Sequence, residues 1–124
     1  MTKRMEHDLI GDREVESEAY YGVQSLRAKD NFNITGVTLS QFPTFIISLA
    51  KVKKSVALAN YELELLAEDK KNAICEACDQ IIAGKYHDEF IVDMIQGGAG
   101  TSINMNANEV IANIGLEILG FKKG

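Results

Sequence analysis

Proline, histidine and cysteine are scarce in this chain of 124 residues, and each scarcity removes a class of explanation. Pro43 stands alone, so there is no proline-rich linker. The two cysteines, Cys75 and Cys78, form one C-x-x-C pair. No second pair completes a zinc site, and no βαβ pattern surrounds it as a redox motif requires. They share one face of an expected helix and read as two small packing residues. His7 and His87 are isolated, without the orienting partner and cleft that a catalytic histidine needs. No apolar run is long enough to span a bilayer. The opening, Met1 to Asp8, has basic residues but no apolar block behind them, so it is not a signal peptide and a cytoplasmic location is expected. Positive charge is also short. Thirteen Lys and Arg against 18 Asp and Glu leave a net charge of −5, which argues against a nucleic-acid partner. The run Lys51-Val52-Lys53-Lys54 reads as the wet face of a helix.

What is present is an ordinary globular composition, 46% hydrophobic and 25% charged, in a length that suits one domain over residues 1–124. A hairpin is expected first, from Glu6–Ile10, the turn Gly11-Asp12 and Arg13–Glu16. Ala19, Tyr20, Val23 and Leu26 sit at helical offsets between Glu18 and Asp30. Asn31 to Thr38 reads as a loop. Ser40 is a candidate cap for a helix over 41–62, with Pro43 in its first turn. Its stripe is Phe45, Leu49, Val52, Val56 and Ala59, widened by Ile46, Ala50 and Ala57. A helix over 67–84 carries Ile74, Cys78, Ile81 and Ile82 and stops at Gly84. Glu62, Glu64, Glu68 and Asp69 read as a wet helix end. After the short apolar run Phe90-Ile91-Val92, a last helix over 101–119 carries Ile103, Ala107, Val110, Ile111, Ile114 and Ile118 and is closed by Gly120. The fold class is mainly α with a short β-hairpin at its start.

The segment Gly97-Gly98-Ala99-Gly100-Thr101-Ser102 carries the most chemistry. Glycines let the backbone turn tightly and approach a ligand closely. A flexible loop entering a helix presents free N–H groups and positive dipole potential, which suits a carboxylate or phosphate. Thr101 adds a hydroxyl donor. The same glycines equally serve a turn with positive φ before a capped helix. The segment is not a Walker A loop, because no lysine follows Gly100, and not the dinucleotide-binding G-x-G-x-x-G. Asn104, Asn106, Asn108 and Asn113 crowd the helix that follows, although asparagine competes with the backbone there. They form either a solvated face or buried amide network, or the lining of a polar pocket.

The run Gln96-Gly97-Gly98-Ala99-Gly100-Thr101-Ser102-Ile103-Asn104-Met105-Asn106-Ala107-Asn108-Glu109-Val110 closely resembles a signature of the aspartase/fumarase superfamily. Asp8 to Val15, Ala19 to Gln24, Ala28 to Gly36 and Ala112 to Glu117 resemble the same family's N-terminal region, in order and over essentially the whole chain. The fumarase version has serine where this chain has Ala99, so the likeness is to the aspartase branch. The resemblance implies reversible deamination of L-aspartate to fumarate and ammonia, with no organic cofactor, although divalent metal stimulates some members. It implies that Thr101 contacts a substrate carboxylate, that Gly100 and Ser102 shape or extend that seat, and that Asn104 is a weaker member.

The resemblance also implies a homotetramer whose active sites each draw on three subunits. The family's serine base, on a G-S-S-x-M-P-x-K-x-N loop, has no counterpart here. Nor do its active-site histidine, its central helical bundle and its C-terminal domain. The expectation is therefore an N-terminal domain, inactive alone. The alternatives are a fumarase-type hydratase and a non-catalytic helical interaction domain.

Overall fold

The structure, a computed structural model, describes residues 1–124. Strands β1 (Lys3–Asp8) and β2 (Gly11–Glu16) pair antiparallel, from Lys3 opposite Glu16 to Asp8 opposite Gly11. The expected hairpin is present, but it starts earlier and Ile10 belongs to its turn. Asp8 explains the shift. Its Oδ1 accepts the amides of Ile10 (2.9 Å) and Gly11 (3.1 Å), which ends the strand. Neither strand is rich in β-formers, and a polar staple holds them instead. Arg4 donates to the carbonyls of Glu16, Ser17, Ala19 and Tyr21 at 2.8–3.0 Å while pairing with Glu6.

Helix α1 spans Val23–Asn31, not 18–30 as the periodicity suggested. The backbone of residues 16–21 makes one turn-like bond of its own, Ala19 N to Glu16 O at 3.1 Å, and is otherwise held largely by side chains. Its carbonyls accept from Arg4, and the amides of Tyr20 and Tyr21 donate to Glu89 at 2.7 and 3.3 Å. Helix α2 spans Pro43–Glu62, with proline in its first turn, where its missing N–H costs nothing. Ser40 does not cap it. That residue lies in a short 3-10 turn, Leu39–Gln41, and its hydroxyl meets Thr38 Oγ1 at 2.5 Å.

The buried face of α2 is Ile46, Ala50 and Ala57. Phe45, Val52 and Val56 of the expected stripe are 46–57% exposed. Two apolar faces adjoin on this helix, and the rest of the chain covers only one of them. Helix α3 (Glu68–Ile82) ends before Gly84, whose φ of +99° suits glycine. Glu62, Glu64, Glu68 and Asp69 are exposed, as their charge implies.

Helix α4 (Thr101–Ile118) is the spine of the molecule. Its Ala107, Val110, Ile111 and Ile114 pack with Ile46, Ala50, Ala77, Cys78, Ile81, Leu39, Phe90 and Val92 in one core. Burying each of the larger aliphatic or aromatic side chains contributes about 1.5–3 kcal/mol. The run at 90–92 runs beside the segment preceding α2: Leu39 N donates to Val92 O (2.9 Å) and Ser40 N to Phe90 O (3.1 Å). Ile118 is at the edge, 36% exposed.

A carboxylate joins α4 to α1. Glu109 accepts the amides of Gly22 (2.7 Å), Gln24 (2.8 Å) and Ser25 (3.1 Å) and the Ser25 hydroxyl (2.6 Å). Glu6 takes the amide of Val23 at 2.8 Å. The free donors of the first turn of α1 are thus met by negative charge, which also opposes the helix dipole favourably. The approach is so close that a Cβ at Gly22 would stand 2.8 Å from the carboxylates of Glu109 and Glu6 and would have to push them aside. Glu109→Ala leaves those donors without a partner and should cost about 2–4 kcal/mol, with Glu109→Gln costing about half as much. Urea unfolding followed by far-ultraviolet circular dichroism measures both; losses below about 0.5 kcal/mol would show that the contact is incidental.

Candidate functional site

The glycine-rich loop enters α4 in a conformation that glycine makes possible. Gly98 and Gly100 have φ of +78° and +86°. A Cβ at either would meet nothing within 4 Å, so the requirement is conformational and not spatial. Gly100 is the residue before the helix and brings no side chain to its amides. The first helical bond runs from Asn104 N to Gly100 O at 3.0 Å. Ile103 N donates to the side-chain oxygen of Gln96 at 3.0 Å. The amides of Gly98 to Ser102 have no acceptor within the chain, and neither do the Thr101 and Ser102 hydroxyls. No acidic residue lies in the first turn. The end of α4 therefore combines unpaired donors with an unneutralised dipole.

The four sequence candidates are distributed around this end. Gly100 and Thr101 form the turn itself, with Thr101 exposed. Ser102 faces α1, where it lines a cleft of about 420 Å³ with the hairpin turn and Gln24, Arg27 and Asn31. Asn104 faces α2, and its Oδ1 accepts from Lys53 Nζ at 2.5 Å. The convergent donors are backbone amides with the Thr101 hydroxyl, flanked on two sides by Ser102 and Asn104.

The asparagines separate into two kinds. Asn106 and Asn113 are buried ties. Asn106 donates to Glu89 O (3.0 Å) and accepts from Val92 N (3.4 Å). Asn113 donates to Tyr20 O (2.8 Å) and accepts from Gly124 N (3.0 Å). Asn108 lines a polar-edged groove of about 330 Å³ with Lys53 and Asn60.

Of the two cysteines, Cys78 packs in the core and Cys75 is half-buried. Cys78 is fully buried, and burial pushes its thiol up to about 12, so it carries no thiolate reactivity at neutral pH. His87 Nε2 lies 2.8 Å from Ile81 O in the last turn of α3, and His7 pairs with Asp12 at the exposed hairpin. Neither histidine lines the cleft beside Ser102.

Several supporting residues had no local sequence signal. Arg27 grips Asp8 through two nitrogens at 2.9 and 3.0 Å and reaches Gly11 O, which fixes the hairpin turn on one wall of the cleft. Its guanidinium holds the Asp8 carboxyl below the usual range. Asp93 anchors the approach to the glycine loop. It is buried and accepts from Thr35 N, Thr35 Oγ1, Gly36 N and Ile95 N at 2.8–3.0 Å.

With this geometry in place, known proteins supply the lineage. Residues 11–123 match the family described as Lyase. This chain belongs to that lyase family. Aspartate ammonia-lyase of Helicobacter pylori (strain J99) is 61% identical over 98% of this chain and 26% of its own length. A crystal structure described as fumarate lyase:delta crystallin from Brucella melitensis superposes with a TM-score of 0.97 at 51% identity, over 99% of this chain and 29% of that one. A class II fumarase from Schistosoma mansoni superposes with a TM-score of 0.91 at 31% identity, over 99% of this chain and 26% of that one. The chain thus spans about a quarter of the length of its lyase relatives. The mainly helical fold with a leading hairpin is the one its lyase neighbours share. No helix is long and apolar enough to cross a membrane.

The Asp93 anchor has a pH signature. Burial raises its carboxyl, but the bonds from Ile95, Thr35 and Gly36 outweigh burial and bring it to about 2. A carboxyl lowered on folding contributes stability above its unfolded value and loses it as pH falls toward the folded one. Asp93→Asn should therefore lower stability at pH 7 and flatten the decline between about pH 4 and about pH 2. Urea midpoints across that range check this; parallel curves for the two proteins would contradict it.

Proposed function

We propose that this chain supplies one wall of the active site of a lyase that interconverts L-aspartate with fumarate and ammonia. The observation that carries the reading is the end of α4. Its amides from Gly98 to Ser102 and its Thr101 hydroxyl are unengaged by the chain, in a protein 61% identical to an aspartate ammonia-lyase. Removing a proton from the carbon beside a carboxylate builds a doubly charged, enediolate-like group. Donors already in place at that charge lower the barrier, because they need no reorganisation as it develops. Thr101 and the amide of Ser102 would hold the carboxylate, Gly100 lets the backbone approach it, and Ser102 and Asn104 border it. Segments beyond this chain would provide the base and the remaining contacts, as the N-terminal domain of a cytoplasmic homotetramer with no organic cofactor. Amine elimination is favoured over hydration because Ala99 stands where fumarases have serine.

Two measurements test the reading. The 124-residue chain alone should turn over no L-aspartate. In the full-length protein, Thr101→Ala should lower kcat/KM for L-aspartate about 100-fold, the cost of one donor at a developing anion. Fumarate absorbance follows both. An unchanged kcat/KM removes Thr101 from the site, and turnover of L-malate in place of L-aspartate assigns the protein to hydration.

A further inference from the structure

The geometry points to Gln96 as a positioning residue that caps α4 without charge and so keeps its end free for an anion. The inference rests on the reading that the residues around Thr101 seat a carboxylate. Gly100 cannot cap its own helix, because it has no side chain. Gln96, which precedes the glycines, delivers the missing acceptor to Ile103 N at 3.0 Å. Its side chain thereby fastens the loop across its base, from residue 96 to residue 103. The donor it uses is the third amide of the helix. The amides of Thr101 and Ser102, at the first and second positions, remain unpaired.

The chemistry of the cap matters as much as its position. A carboxylate would make the same hydrogen bond and would interact better with a helix N-terminus. At two other helices this chain uses that stronger option, while α2 has neither a side-chain cap nor an acidic residue in its first turn. Glu109 and Glu6 close the end of α1, and Glu68 and Asp69 lie in the first turn of α3. Only at the glycine loop does a side chain cap the amides of a helix with a neutral carboxamide. Stability alone would favour glutamate at 96. A negative charge there would neutralise the positive potential that an incoming dicarboxylate uses.

Three variants of the full-length protein test this: Gln96→Glu, Gln96→Ala and Thr101→Ala. Each is melted thermally and titrated with succinate, a dicarboxylate that has neither amine nor double bond to react. Gln96→Glu should melt at or above the parent temperature yet bind succinate about tenfold more weakly, from one added negative charge beside two others. KM for L-aspartate should rise with it more than kcat falls. Gln96→Ala should melt lower and lose less binding than Gln96→Glu. A purely structural role predicts the opposite order, with glutamate harmless and alanine the worse binder. The inference is overturned if Gln96→Glu binds succinate within about twofold of the parent, or if it melts well below it. Thr101→Ala separates the two levels. Weaker binding there, with none lost in Gln96→Glu, removes Gln96 alone; unchanged binding in both removes the carboxylate seat as well.

Discussion

The carboxylate of Glu109, surrounded by the amides that open α1, is the contact on which the remaining geometry depends. It projects from the middle of α4 and holds α1 end-on. That fixes α1 as the wall facing Ser102, with Gln24, Arg27 and Asn31 along the cleft. Through Arg27 and Asp8 the same wall fixes the hairpin turn. Glu6 joins from the hairpin and Glu89 from the segment before the glycine loop, so carboxylates from three parts of the chain meet amides between residues 20 and 25. Apolar packing does little here. Val15, Ala19 and Val23 form only a minor cluster of their own, and charged hydrogen bonds set the placement instead.

The two helix ends that meet at this cleft are finished in opposite ways. The end of α1 is saturated by carboxylates and has nothing left to offer a ligand. The end of α4 is held by one amide side chain and keeps its first amides unengaged. The difference matches the role proposed for each end. A helix used as a wall is most stable when its donors and dipole are satisfied internally. A helix used to receive negative charge must leave them unsatisfied, and the stability forgone has to be supplied elsewhere. In α4 it is supplied by the core face from Ala107 to Ile114 and by the buried amides of Asn106 and Asn113.

What the sequence made legible was local. Gly84 and Gly120 mark helix ends, and Gly98 and Gly100 mark a turn of positive φ before a helix. The hairpin and the mainly helical class follow from similar short-range patterns. What it hid was carried by contacts between distant residues. Tyr20 sits at a helical offset from Val23, yet its amide goes to Glu89, 69 positions away, and the expected first turns of α1 never form. Glu109 reads as one more polar residue on a helix until Gly22, 87 positions earlier, is found against it. The face of α2 was ambiguous for another reason. Phe45 heads the more apolar stripe, yet the adjacent one through Ile46, Ala50 and Ala57 is the one buried, and periodicity cannot say which stripe neighbours cover. The asparagines show the same limit: one residue type at one spacing gives buried ties at 106 and 113 and rim positions at 104 and 108.

A site built from backbone amides works only if the backbone does not move. Side-chain donors can follow a ligand, whereas amides at a helix end are as well placed as the helix and the loop before it. Each element around the glycine loop limits that motion. Asp93 ties the approach to residues 35 and 36, Gln96 closes the loop's base, and Lys53 holds Asn104 one turn into α4. Glycine supplies the turn but also the freedom to leave it, which costs conformational entropy when the loop is ordered. The tethers on both sides of the loop offset that cost before a ligand arrives. A free glycine loop would have to be ordered by the anion itself, at the expense of affinity; a tethered one presents donors already aimed, and its binding energy remains available to the charge that develops during reaction.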